Sequence, residues 1–265
     1  MMTPKGTGDD VTPDGWTSTE IAGGTGQGGA VLVCEHAGAE IPTDLQGLGL
    51  EAAARTSHAA WDIGARDMAV ELARLMNAPL VAGRLSRLVY DLNRPLEAAD
   101  CIPARSEVHE VPGNRDLSQT QRRARFDRVH TPFHDALTEV IDRAAPSALI
   151  TLHSFTPIYN GARRAVEIGY LYHSDAALAC AALAVEAARG RYRCALNEPY
   201  AASDGVTYTL RRHGEARGLP AVMVEVRNDL IDTLQSARAM ATHLHGVLTE
   251  ALAELDAADR AESAR

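Results

Sequence analysis

The chain has 265 residues, a net charge of −9, and is 46% apolar and 23% charged. That length buries a core without disulfides or structural metals, and the ordinary apolar-to-charged balance excludes a disordered or fibrous chain. The acidic balance argues against general binding to nucleic acid or an anionic membrane, while leaving room for a local basic pocket.

Residues 1–29 are rich in Gly, Thr, Asp and Pro, and read as a flexible arm ahead of a single domain over 30–265. GTGQGG at 24–29 fits GxGxxG formally. It precedes a strand instead of following one, so it is rejected as a dinucleotide loop. Strands and helices then alternate. Strands are expected at 31–34, 79–82, 88–92, 147–152, 166–172 and 220–226. Helices are expected at 62–76, from Ser118 to about 144 with an interruption at Thr131-Pro132, at 174–188, at 206–217, and from Asp232 onward. Near-continuous apolar strands between helices predict an α/β fold with a mostly parallel sheet covered on both faces. The aperiodic stretch 96–117 is the candidate lid.

No apolar run is long enough to span a bilayer, and the N-terminus lacks a secretory apolar core. Cys34, Cys101, Cys180 and Cys194 form no CxxC pair, which suits a reducing compartment. A cytoplasmic protein is expected.

The strand endings share one chemistry. Residues 31–34 lead into Glu35 and His36, 88–92 into Asn93 and Arg94, and 147–152 into His153 and Ser154. Strand 220–226 carries Glu225 and leads into Arg227 and Asn228. Ligands of open α/β sheets bind outside the carboxyl ends of the strands, so these residues can converge. Two histidines and a carboxylate make a catalytic zinc set with one position left to water. The carboxylate comes from Glu35, Glu40, Asp62 or Glu225. Asp62, at a loop-to-helix corner, is favoured, against the competing reading of a helix N-cap. Glu225 is then the general base, its pKa raised inside an apolar strand, against the competing reading of an ion pair with Arg227. Arg94 offers a planar fork for a substrate carboxylate, against a surface salt bridge. His130 and His134 read as structural, because Pro132 disturbs the helix between them. Ser154 lacks a GxSxG context, so a serine-hydrolase reading is weak.

Six stretches taken together, VLVCEHAGAEIP, HAAWDIGA, SRLVYDLNRP, VPGNRDLS, LHSFTP and VEVRNDL, resemble the N-formylglutamate amidohydrolase family over about residues 31–232. The resemblance implies a zinc-carboxypeptidase-like, phosphorylase/hydrolase-like fold, a three-layer αβα sandwich with a mostly parallel mixed sheet, and hydrolysis of an N-formyl or N-acyl amino acid. By similarity to the wider zinc aminoacylases, His36 and His153 match metal ligands, Glu225 the catalytic glutamate, and Asn93 and Arg94 the grip on the substrate carboxylate. Arg87, Arg163 or Arg227 is available for a second carboxylate, and Ser154 joins the substrate-binding set. The aminoacylase HxxE pair is absent, since Ala39 stands three after His36; Asp62 takes its place. The expected enzyme holds one Zn²⁺ per chain on His36, Asp62 and His153. It converts N-formyl-L-glutamate to formate and L-glutamate. The rival expectations are a deacylase of another N-acyl amino acid or small peptide, and a non-catalytic carboxylate-binding module.

Overall fold

The structure is a computed structural model that describes residues 16–25 and 29–263. In chain order it contains β1 (Thr19–Gly23), β2 (Ala30–Cys34), α1 (Ala52–Arg55), α2 (Ala65–Met76), β3 (Pro79–Gly83), β4 (Arg105–Ser106), β5 (His109–Glu110), α3 (Gln119–Arg125), α4 (Thr131–Ala144) and β6 (Ala148–Phe155). There follow β7 (Ile158–Tyr159), β8 (Ala162–Arg163), β9 (Ile168–Leu171), α5 (Ala177–Arg189), β10 (Cys194–Leu196), β11 (Ala221–Arg227) and α6 (Leu234–Ser263).

Seven strands form one mixed sheet in the order β1-β3-β2-β6-β11-β9-β10. β3, β2, β6 and β11 run parallel. β1 and β9 are antiparallel to their neighbours β3 and β11. The parallel strands β2, β3, β6 and β11 are buried along their whole length, which explains their unbroken apolar runs. One face packs on α2, α5 and α6 through Met68, Leu72, Leu178, Met240 and Leu244. The other packs on α4 through Phe133, Leu137 and Ile141, and on loop residues Leu88 and Leu92. The sheet between two helical layers is the expected αβα sandwich. Among the described residues, no helix is long and apolar enough to cross a membrane.

Three expectations are corrected. The segment read as a flexible arm supplies β1 at the sheet edge, where Ile21 pairs with Val81; the rest of that arm, 1–15 and 26–28, lies outside the described residues. Residues 88–92 are buried but form turns instead of a strand. Ser86 decides this locally: its Oγ donates to the Ala60 carbonyl and accepts the Leu88 N–H, so the side chain replaces a ladder partner. The helix from Ser118 is also interrupted earlier than expected. Ser118 and Gln121 form a capping box. The helix then widens to π geometry over Phe126–His130 before Pro132. Proline has no N–H for the carbonyl four residues back, so the turn preceding it is free to loosen.

Candidate active site

The parallel strands end along one rim, and a cavity of about 620 Å³ lies there. Its wall includes His36, Asp62, Arg87, His153, Arg164 and Glu225. His153 is on β6, in direct register with Glu225 of β11. His36 follows β2 by two residues. The Asp62 N–H donates to the His36 carbonyl at 2.9 Å, which brings the corner before α2 to the same spot.

Candidate ligand atoms of His36, Asp62 and His153 all lie within 4.8 Å of one another, and all three residues are buried. Among the described residues this is the one His/Cys/Asp/Glu group gathered tightly enough to hold an ion. Asp62 Oδ2 is 2.9 Å from His153 Nδ1 and 3.6 Å from His36 Nδ1. It also accepts the Ser154 N–H at 3.2 Å. Its side chain is therefore no helix cap; the residue at the N-cap of α2 is Gly64.

The outward nitrogens of both imidazoles face carboxylates. His36 Nε2 is 2.7 Å from Asp91 Oδ1, and His153 Nε2 is 3.0 Å from Glu35 Oε2. Asp91 is gripped in turn by Arg87 Nη2 at 2.7 Å. Carboxylates in those positions fix tautomer and ring orientation in metal sites. They leave both Nδ1 atoms turned toward Asp62, and His36 Nδ1 is buried without a hydrogen-bond partner. Glu35, Asp62, Asp91 and Glu225 are four buried carboxylates beside one half-buried arginine fork. Buried charge of one sign needs compensation, so donor set and charge both fit a divalent cation.

The electrostatics follow the same contacts. Burial pushes the Asp62 carboxyl up, but His36 and His153 outweigh it and hold it far below the carboxylate range. Burial likewise opposes ionisation of Asp91, and Arg87 and His36 overcome it. His153 is pulled down by burial but raised overall by Glu35 and Asp62. Glu225 differs. Burial raises its pKa to about 7, and its Oε2 has no hydrogen-bond partner. Arg227 does not pair with it; that guanidinium meets Asp229 at 2.7 Å and Glu167 at 3.4 Å.

The cavity is completed by two hairpins. Arg105, Ser106 and Glu107 of the β4–β5 hairpin line it, within the stretch read as a lid. Tyr159 of β7 and Arg164, just after β8, line it on the other side.

The expected substrate-binding residues divide. Arg87 lines the cavity beside the triad, with Nη1 3.5 Å from Asp62 Oδ1. Arg94 and Asn93 also reach the wall, but as braces. Arg94 is held by Asp100 at 2.9 Å and by the carbonyls of Asn93 and Gly205. Asn93 donates to the Val206 carbonyl and accepts the Thr209 N–H. Ser154 Oγ donates to the Ile63 carbonyl, which steadies the Asp62 corner. Arg163, exposed on β8, and Arg227 do not line the cavity, so both expectations are corrected. Strand alternation explains the first, since it turns neighbouring side chains to opposite faces.

Sequence reasoning missed Arg164, Tyr200, and the roles of Glu35 and Asp91 behind the histidines. The signal for Asp91 was its spacing four after Arg87, within one buried turn segment. His130, His134 and His213 are structural in position. They stack in a separate buried cluster, where His134 Nδ1 lies 2.8 Å from His213 Nε2.

A mostly parallel αβα sheet with a polar His/Asp/His and glutamate cluster at its carboxyl rim places its chemistry where open α/β folds bind their ligands. The N-formylglutamate amidohydrolase family model matches residues 29–232, and the chain belongs to that family. A crystal structure of a gene product of Agrobacterium tumefaciens superposes with a TM-score of 0.88 at 42% identity, covering 91% of this chain and 97% of that one. N-formylglutamate amidohydrolase from Ralstonia eutropha JMP134 superposes with a TM-score of 0.65 at 18% identity, covering 88% of this chain and 99% of that one; this likeness is one of fold. No curated protein matches the chain.

Proposed function

We propose that the protein is a metal-dependent amidohydrolase that cleaves N-formyl amino acids, N-formyl-L-glutamate foremost, to formate and the free amino acid. One observation carries this reading: a buried His36–Asp62–His153 group with an unpartnered His36 Nδ1, beside a glutamate whose Oε2 is also unpartnered. Membership of the amidohydrolase family supports the choice of scissile bond.

His36, Asp62 and His153 would hold the ion, one per chain, zinc being the best match to two imidazoles and a carboxylate. When bound, the metal supplies Lewis-acid polarisation of the scissile carbonyl and a lower pKa for water. Glu225, ionised, takes the proton of the attacking water as the oxygen bonds to the formyl carbon. It then returns that proton to the departing nitrogen as the C–N bond breaks. Arg87, close to Asp62, puts a fixed positive charge beside the oxygen that becomes anionic. Glu35 and Asp91 hold the two rings in orientation.

A second reading keeps the site and lengthens the acyl group. The cavity of about 620 Å³ leaves space beyond a formylated amino acid. Formate release from N-formyl-L-glutamate, measured beside acetyl and succinyl amino acids, ranks the two. Activity is expected to disappear on chelation, to return with zinc, and to be absent in His36→Ala. Full activity in metal-stripped His36→Ala ends both readings.

A further inference from the structure

The cavity wall carries four arginines, and all but one are engaged by carboxylates. Arg87 pairs with Asp91, Arg94 with Asp100, and Arg105 with Glu110. Arg164 is the exception among the described residues lining the wall. Its protein partners are neutral: the Thr156 carbonyl at 3.4 Å and the Tyr200 hydroxyl at 3.1 Å, both through Nη1. A guanidinium carries five donors, so most of this fork is left for something else.

Aromatic rings surround the fork. Its central carbon lies 4.6 Å from the Tyr159 ring centroid, 4.8 Å from Tyr200 and 5.5 Å from Phe155. Rings on several sides hold the plane of the guanidinium while adding no negative charge. They also displace water, which strengthens attraction to an incoming anion. Tyr200 adds a second donor. Burial, with Glu225 nearby, pushes its phenol up to about 12, so it stays protonated at neutral pH. Its oxygen accepts from Arg164, and its own proton remains to be given.

We propose that Arg164, with Tyr200, is the anchor for a substrate carboxylate and sets the preference of this pocket for carboxylate-bearing N-acyl compounds. This rests on the amidohydrolase reading for the reaction, but not for the binding. The role expected of Arg94 passes to a side chain 70 residues further on, because Asp100 already occupies Arg94. The anchor lies on the wall formed by β6 and the segment after β8, so a substrate would lie between it and the His36–Asp62–His153 group.

The test is a cycle of two enzymes and three substrates. N-formyl-L-glutamate carries both carboxylates, N-formyl-L-glutamine lacks the side-chain one, and 4-formamidobutanoate lacks the α one. Arg164→Gln is expected to raise KM for N-formyl-L-glutamate 10- to 100-fold, with kcat changed less than threefold. That penalty should vanish for whichever substrate lacks the anchored carboxylate, which also identifies it. Arg164→Lys keeps the charge, loses the fork, and should fall between. The same penalty on all three substrates, or none on any, overturns the proposal. If the wild type hydrolyses none of them, the amidohydrolase reading falls, and calorimetry with glutarate decides this inference separately. Binding to the wild type that is lost in Arg164→Gln and partly restored in Arg164→Lys sustains it; no binding, or equal binding, overturns it.

Discussion

His36 Nε2 sits 2.7 Å from Asp91 Oδ1, while the same ring turns its unpartnered Nδ1 toward Asp62. Asp91 therefore fixes which nitrogen is left facing Asp62, the one that would hold the ion in the proposed site. Asp91→Asn keeps the size but weakens the acceptor, and metal affinity is expected to fall about 10- to 100-fold. Competition with a chromogenic chelator measures it; unchanged affinity would show that Asp91 merely fills space.

Glu225→Gln is isosteric and would remove only the proposed base. Turnover should drop about 10²- to 10⁴-fold while bound metal stays stoichiometric. Elemental analysis of the same sample separates loss of the base from loss of the ion. Near-normal turnover would transfer the proton to another group.

Burial sets the pKa of Glu225 at about 7. In the proposed role the ionised form takes the proton, and it dominates above the pKa, so kcat/KM should rise with pH and level off beyond it. A bound cation favours the carboxylate and moves this limb to lower pH. The limb should disappear in the residual rate of Glu225→Gln. A pH–rate profile that falls through the same range would reverse the assigned role.

The His130–His134–His213 cluster predicts acid sensitivity of the fold. Burial is the leading cause in each case: it lowers His130 to about 3 and His213 to about 4, and holds His134 well below its ordinary 6.5. The unfolded chain takes up these protons near pH 6.5 and the folded one resists. The stability is thus complete above about 6.5 and is lost as pH falls toward 4. His130 has both ring nitrogens buried without a partner and stacks on Phe126. His130→Phe should therefore narrow the gap between melting temperatures at pH 8 and pH 5. An unaltered gap would place the acid sensitivity elsewhere.

Gly38 lies two residues after His36, and a Cβ there would come 1.9 Å from the Arg84 carbonyl oxygen. The loop bearing His36 is seated against backbone at this point. Gly38→Ala should destabilise the fold by about 1–3 kcal/mol, as overpacking does, and weaken metal binding as His36 shifts. Thermal melts with and without zinc report both. Wild-type values in both would mean that the loop shifts at no cost.

How far the site was legible is clearest at particular residues. That His36, His153 and Glu225 gather at one rim was readable because an apolar strand that ends on a charged or imidazole side chain has few structural uses. Asp62 was ambiguous, since an aspartate at a helix corner caps as readily as it ligates; the contact with His153, 91 positions away, settles its direction. Residues 88–92 looked like a strand because they are apolar and buried, but burial does not distinguish a strand from turns packed beneath a loop. Arg163 and Arg164 differ by one position along a short strand and its exit. One is exposed, and the other enters the cavity.

Composition and hydrophobic pattern by themselves determined the layered α/β architecture and the rim at which polar residues gather, because burial on both faces of a sheet dictates which strands can be apolar throughout. Side-chain direction was decided only by the folded chain. Which carboxylate lies between the two imidazoles, which stands behind a ring, and which arginine pairs with no carboxylate all depend on partners that are remote in sequence. Periodicity constrains a residue only while the backbone stays regular, and most of the site lies where the regular backbone has just ended.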